Sequence, residues 1–262
     1  MLESRLPTRM MALRKPASTP KKTSGAPRAA ASRLELERKH DPVRTQHDIL
    51  EVATEEFARD GLAGARVDTI AARTRTSKRM IYYYFSSKEG LYLAVLERAY
   101  AQMRAAEREL DLVRLPPREA IRRLVQYQFD YEEAHPELAR LVSIENIHDG
   151  VHVAKSETIQ KLNVSVIEML AAILKRGRRE GIFHTAIDAI DLHLLIIAPC
   201  FYRISNHHTF GTLFGRDLLA PAVRARHRRM FADSIVGYLE GTPKAAAPRA
   251  RAAQNGRPRK AR

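Results

Sequence analysis

Residues 67–91 read VDTIAARTRTSKRMIYYYFSSKEGL. The pattern predicts a short helix, a tight turn, a second helix and the start of a third. Ser77 is a natural N-cap for the second helix, because its hydroxyl can accept a bond from an orphan amide of the first turn. Lys78, Arg79, Tyr82 and Tyr83 then follow at i, i+1, i+4 and i+5 and share one side of that helix. Ile81 and Phe85 share the opposite, apolar side, with Leu91 next in line. One side can pack while the other offers cations and aromatic rings. A helix that lies in the major groove of DNA needs that division.

Charge points the same way. From Arg73 to Lys88 there are five cations (Arg73, Arg75, Lys78, Arg79, Lys88) and no acid. A solvated basic face is the bland alternative for any charge run. Three consecutive tyrosines inside the run argue for a partner, since phosphate oxygens, sugars and thymine methyls all suit a tyrosine.

The stretch around this motif carries further landmarks: Phe57, Asp60-Gly61, Ile70-Ala71, Ser77, Ile81-Tyr82-Tyr83-Tyr84-Phe85 and Ser87-Lys88-Glu89-Gly90-Leu91. With these motifs at this mutual spacing, residues 44–91 resemble the DNA-binding domain of the TetR/AcrR family of transcriptional regulators. The family signature has an amphipathic first helix ending near a glycine and a short helix with Ile-Ala. A Ser-led recognition helix follows, ending in Leu/Ile-Tyr-x-x-Phe and then Ser/Asn-Lys-Glu-x-Leu. Two positions depart from it. Arg66 stands where Ser or Thr usually caps the second helix and reaches a phosphate. Thr74-Arg75-Thr76 stands where the turn usually reads Ala-Gly-Val. A non-glycine residue at positive φ there costs on the order of 1 kcal/mol. Both departures add a cation that can meet phosphate.

The 262 residues carry a net charge of +15, and its location is informative. Residues 1–44 hold 11 Lys/Arg against 4 Asp/Glu, and residues 241–262 hold 7 Lys/Arg and no acid. The middle of the chain is close to neutral. Both ends are rich in Pro, Ala, Lys and Arg, so 1–43 and 241–262 are expected to be disordered basic tails that add salt-sensitive attraction to DNA. The alternatives are that they only solubilise, or that translation starts at Met10 or Met11. No run of about 18 uncharged apolar residues occurs, so no membrane span is expected. The N-terminus lacks the apolar core of a secretory signal, and the single cysteine, Cys200, excludes an intramolecular disulfide. A cytoplasmic protein, nucleoid-associated when bound to DNA, is the simplest fit.

Helical periodicity predicts helices over about 44–60, 67–74, 77–85, 88–111, 117–134, 136–148, 155–180, 187–205 and 217–240. Thr45 with Asp48 fits a capping box at the first start, and Asp60-Gly61 ends that helix. Ser86 with Glu89 or Ser87 alone can open the fourth helix. Gly211 and Gly215 read as flanking a loop. No strand alternation is evident. The expectation is an all-α protein of about nine helices. It comprises a helix-turn-helix domain at 44–91 (motif about 66–85) and a bundle at 92–240. The 187–205 segment is apolar nearly all round, so it belongs in a core or a subunit interface, and Pro199 should kink it. The resemblance implies a ligand-binding and dimerisation bundle, with homodimerisation through about 187–240.

Candidate DNA contacts are Lys78 and Arg79 as base readers, Tyr82, Tyr83, Tyr84 and Lys88, with Arg66 and Arg75 in support. The resemblance places the lysine matching Lys88 on the DNA backbone. Candidate effector-pocket residues are Tyr127, Tyr131, Asn146, His193, Phe201 and Tyr202. His148 and His152 are spaced i, i+4, but Gly150 between them argues against a regular helix and a metal site. Cys200 reads as a buried, inert thiol rather than a redox sensor. No phosphate loop or nucleophile motif occurs, so no catalysis, cofactor or metal is expected. The resulting reading is a regulator, by expectation a repressor released from a palindromic operator by a small molecule. The rival is a sequence-indifferent architectural DNA-binding protein driven by its basic tails.

Overall fold

The computed structural model describes residues 41–241, which form ten α-helices and two short 3-10 turns, with no strand among them. The 1–43 and 241–262 tail expectations lie almost wholly outside the described residues. The helices are α1 (Pro42–Gly64), α2 (Val67–Arg73), α3 (Lys78–Phe85), α4 (Lys88–Arg108), α5 (Pro117–Ala134), α6 (Pro136–Ile147), α7 (Glu157–Arg179), α8 (Ala189–Ser205), α9 (His207–Phe214) and α10 (Pro221–Glu240). The all-α expectation holds, with one helix more than the sequence suggested. That helix is α9, where Gly211 lies inside the helix and Gly215 (φ 61°) ends it in the left-handed region.

Local chemistry explains the ends. α1 starts earlier than expected. Asp41 Oδ1 accepts the amides of Val43 (3.0 Å) and Arg44 (3.2 Å), and Pro42 takes the first helical position. Thr45 is therefore not a cap. It sits within the first turn and donates its hydroxyl to the Asp41 carbonyl at 2.9 Å. Gly61 (φ 69°, ψ 176°) interrupts α1 as the glycine predicted. Ser77, Ser87, Ser156 and Asp188 cap α3, α4, α7 and α8, each accepting an amide from the first turn. Of the two readings at the α4 start, the structure selects Ser87.

Two apolar clusters organise the chain. One gathers Ile49, Phe57, Ile70, Ile81, Leu91, Tyr92 and Leu96 from α1–α4, joined by Leu141 of α6 and Ile159 of α7. The other gathers Leu124, Leu170, Ile173, Leu192, Ile196 and Val236 from α5, α7, α8 and α10. Each such buried side chain stabilises by about 1.5–3 kcal/mol relative to exposure. Phe183 folds back over Gly177 of α7 so closely that a Cβ there would sit 2.1 Å from its ring. α8 buries Leu192, Ile196, Cys200 and Ile204 on one side. Its other side leaves Ile190, Leu194, Leu195 and Tyr202 exposed.

The His148/His152 spacing does not lie on a helix. Asp149 (φ 58°) and Gly150 (φ 67°) turn the chain after α6. Buried Glu145 organises that turn, accepting the amides of His152 (3.2 Å) and Val153 (3.1 Å) and lying 2.9 Å from the His152 ring nitrogen.

Candidate nucleic-acid interface and effector cavity

α2 and α3 meet through the turn Thr74-Arg75-Thr76, and Arg75 takes φ 53° there. The amide of Thr76 reaches back to the carbonyl of Ala71 at 3.0 Å, so the left-handed residue closes α2 in the position a glycine would prefer. Arg66 precedes α2 with extended backbone and makes no side-chain cap bond. Ser77 Oγ accepts the Met80 amide at 3.1 Å, as its sequence position predicts.

The buried side of α3 is anchored by Ile81. Its outer side presents Lys78, Arg79, Tyr82 and Tyr83, all exposed, and Tyr83 keeps 76% of its surface. Lys78 Nζ lies 3.2 Å from Asp68 Oδ2 on α2, an exposed pair of little energetic weight. Tyr84 is half-buried against the first apolar cluster and meets Tyr83 edge-on at 5.3 Å. Lys88 is also half-buried, and its ammonium donates to the Ala63 carbonyl at 3.2 Å. Arg73, counted in the sequence among the cations of this stretch, points elsewhere: it donates to Glu55 and to buried Glu56 on α1.

The seat of α3 on α4 is close. The chain between them turns at Ser86 (φ 64°), and Gly90 then passes the last turn of α3. A Cβ on Gly90 would lie 2.1 Å from the Phe85 carbonyl oxygen.

In the second half of the chain, α4–α8 line a cavity of about 650 Å³ that opens to solvent. Of the six candidate pocket residues, Asn146, His193, Phe201 and Tyr202 line it. Tyr127 and Tyr131 do not. They open on a separate groove beside Arg122 and Asp130, and the Tyr127 hydroxyl donates to the Met103 carbonyl at 3.0 Å. The reason is angular: positions 127 and 131 sit one residue, about 100°, round α5 from Gln128 and Glu132, which do face the cavity.

Sequence reading missed the buried polar group of this cavity. Arg104 and Glu132 are 3% and 5% exposed, Gln128 is equally buried, and Arg104 pairs with buried Glu107. Gln128 Nε2 donates to Glu132 Oε1 at 2.9 Å, whereas Glu132 Oε2 and His193 Nδ1 have no hydrogen-bond partner among the described residues. Burial raises Glu132 to about 7 and lowers His193 to about 4. Burial also raises Glu107, outweighing the neighbouring guanidinium. A signal was present: Gln128 and Glu132 interrupt the apolar stripe of Ile121, Leu124, Val125 and Phe129.

A second unforeseen network ties α5, α8 and α10. Buried Arg203 lies 4.4 Å over the Phe129 ring and 2.8 Å from Glu133 Oε2. Arg224 and Arg228 both bond Asp130.

Known proteins resemble both halves. The model for bacterial regulatory proteins of the tetR family matches residues 49–95, and that for the tetracyclin repressor-like C-terminal domain matches residues 117–235. The HTH-type transcriptional repressor NicS of Pseudomonas putida is 35% identical over 182 residues, spanning 70% of this chain and 86% of the relative. The HTH-type transcriptional repressor SCO4008 of Streptomyces coelicolor is 35% identical over 166 residues, spanning 63% of this chain and 80% of that one. The crystal structure of the regulator SCO4942 of Streptomyces coelicolor superposes with a TM-score of 0.55 at 28% identity, covering 73% of this chain and 96% of that one. These likenesses support a sequence-specific reader of DNA over the sequence-indifferent alternative. The chain belongs to the TetR family of helix-turn-helix transcriptional regulators.

Proposed function

We propose that the protein is a homodimeric repressor that leaves a near-palindromic operator when a small molecule enters the cavity of its second half. The observation that carries this reading is the span of α4. Leu91, Tyr92 and Leu96 are buried in the cluster that seats α3, while Tyr100, Met103 and Arg104 of the same helix line the cavity. A ligand that shifts α4 therefore moves the seat of the recognition helix.

The exposed apolar side of α8 supports dimerisation through about 187–240, since Ile190, Leu194, Leu195 and Tyr202 are uncovered in the single chain and Met230 and Tyr238 of α10 are exposed too. A two-fold dimer places two α3 helices in successive major grooves about 34 Å apart. Lys78 and Arg79 read bases, since Lys and Arg suit guanine O6 and N7. Tyr82 and Tyr83 hold phosphate and sugar, with Arg66, Arg75, Lys88 and Tyr84 at the margins. A coupling of about 1–3 kcal/mol between cavity and operator lowers DNA affinity about 5–150-fold. No described helix is long and apolar enough to cross a membrane, which suits action on DNA in the cytoplasm.

The test is selection of bound sites from a random duplex pool at near-physiological salt, where non-specific attraction is weakened. The expected result is an enriched two-fold palindrome. Binding with no enriched sequence, vanishing as salt rises, overturns the proposal.

A further inference from the structure

Three lining side chains, Asn146, Asn163 and Glu132, each offer the cavity an acceptor oxygen. Asn146 Nδ2 donates to the Val142 carbonyl at 2.8 Å, and Asn163 Nδ2 donates to the Ile159 carbonyl at 3.0 Å. A backbone carbonyl can only accept, so each amide is held with its Oδ1 as the free end. Glu132 Oε2 adds a third oxygen without a partner. Against these stands Arg104, whose Nη1 is engaged by Glu107 and whose Nη2 lies against the Met103 sulfur. Only its Nε lacks a partner.

Charge is unbalanced in the same direction. Arg104 and Glu132 are the two charged residues that line the cavity. The positive charge of Arg104 is answered by Glu107. Glu132 has the Gln128 amide and, among the described residues, no ion pair of its own. A buried carboxyl in that position stays partly neutral until a cation arrives.

We propose that this cavity takes an apolar organic cation, an amine or protonated nitrogen heterocycle, whose N–H group pairs with Glu132 and the free oxygens of Asn146 and Asn163. The proposal rests on the reading of the cavity as the effector site and names the ligand chemistry for it. Met103, Leu138, Val142, Ile167, Leu194 and Phe201 take the apolar body.

The pH dependence of binding distinguishes a cation from an anion. A cation expels the proton from Glu132, so its affinity rises with pH up to about 7 and levels off above. An anion requires that proton and shows the reverse. The other titratable groups around Glu132 are Tyr100, Arg104 and its partner Glu107 from α4, and His193, Cys200 and Tyr202 from α8. From α4, Arg104 is paired with Glu107, and burial pushes Tyr100 upward. From α8, burial holds His193 down at about 4 and Cys200 up at about 12. α5 offers the neutral Gln128, and the polar groups that α6 and α7 bring to the lining are the neutral Asn146 and Asn163.

The experiment uses three probes with one apolar body: naphthylmethylamine, naphthylmethanol and naphthoate. Each is titrated calorimetrically into the full chain between about pH 6 and pH 8, and into Glu132→Gln. The amine is expected to bind about tenfold tighter than the other two at the upper pH, losing about tenfold per unit below pH 7. Glu132→Gln should remove both the preference and the pH dependence. The wild-type pH profile decides the matter even if that variant misfolds. Preference for naphthoate, equal binding of all three, binding of none, or an amine preference that survives in Glu132→Gln overturns the proposal. The same probes added to the protein–operator complex separate the two readings. Naphthoate binding that releases operator keeps the effector reading and sinks the cation. Glu132-dependent amine binding that leaves operator affinity unchanged keeps the cation and sinks the effector role.

Discussion

Arg73 of α2 holds the buried carboxylate of Glu56 on α1, with Nη1 3.0 Å from Oε1, while Arg59 takes the other oxygen at 2.7 Å. Glu56 is only 2% exposed, so its charge depends on these partners. A residue that reads in the sequence as part of a DNA-facing charge run instead fastens the short helix of the motif to the long one before it. Arg73→Ala should cost about 1–2 kcal/mol in urea unfolding. That is less than the about 3–5 kcal/mol of a wholly buried pair, because the guanidinium is solvated and Arg59 remains. An unchanged midpoint would show that Arg59 alone suffices.

Arg75 sits at φ 53°, where a side chain is disfavoured. Arg75→Gly should raise stability by up to about 1 kcal/mol, offset in part by the greater chain entropy of glycine when unfolded. The same change removes a cation next to the recognition helix. The slope of log affinity against log salt for operator binding should then fall by about 1. A thermal melt and a salt titration read the two effects separately.

Tyr83 makes the sharpest contrast between folding and binding, because it is largely exposed. Tyr83→Ala and Arg79→Ala should leave the melting temperature within about 2 °C of wild type, since surface changes stay within about 0.5 kcal/mol. Operator affinity should drop about tenfold or more for each, as expected for one lost base or phosphate contact worth about 1–3 kcal/mol. Equal affinity for the variants and wild type would remove the outer side of α3 from the interface.

Glu132 links stability to pH. Its folded-state pKa is raised to about 7, above the ordinary 4.5, because burial penalises the charged form. The favourable contribution of its neutral form is complete below about pH 4.5 and is lost as pH rises through about 7. Glu132→Gln removes the buried carboxylate but keeps its shape. The variant should gain on the order of 3 kcal/mol over wild type at pH 8, with the gain shrinking as pH falls towards about 5. A gain independent of pH would assign the effect to something other than ionisation.

Cys200 is 1% exposed, and burial pushes its thiol up to about 12. Reaction with a disulfide reagent at pH 8 should be negligible in the native protein and stoichiometric in denaturant. Rapid labelling of the folded protein would restore the redox-sensor alternative.

The sequence by itself determined what depends on neighbours along the chain. The motif around Ser77 has the helices and the cap where the spacing put them, and the left-handed turn residue where the family resemblance implied it. The all-α class followed from helical periodicity, because a buried stripe repeating every three to four residues excludes strands. Local ambiguity caused the boundary errors. Thr45 and Asp48 make as good a capping box in sequence as Asp41 makes a cap in space, and only the observed bonds select Asp41. Gly211 and Gly215 both read as helix breakers. One ends α9 while the other lies within it, at a usual cost of about 1 kcal/mol.

Tertiary structure decided which helix faces meet. Periodicity places Tyr127 with Tyr131 and Gln128 with Glu132, yet it does not say which pair faces α4 and α8 across a cavity. It could not show that Arg104 and Glu107, two charged residues on one helix, would be buried together. Nor could it tell Arg73, engaged by Glu56, from Arg79, left exposed on the outer side of α3. The fate of a charge depends on groups far away in sequence, because Coulomb attraction and desolvation act through space and are set only once distant helices pack.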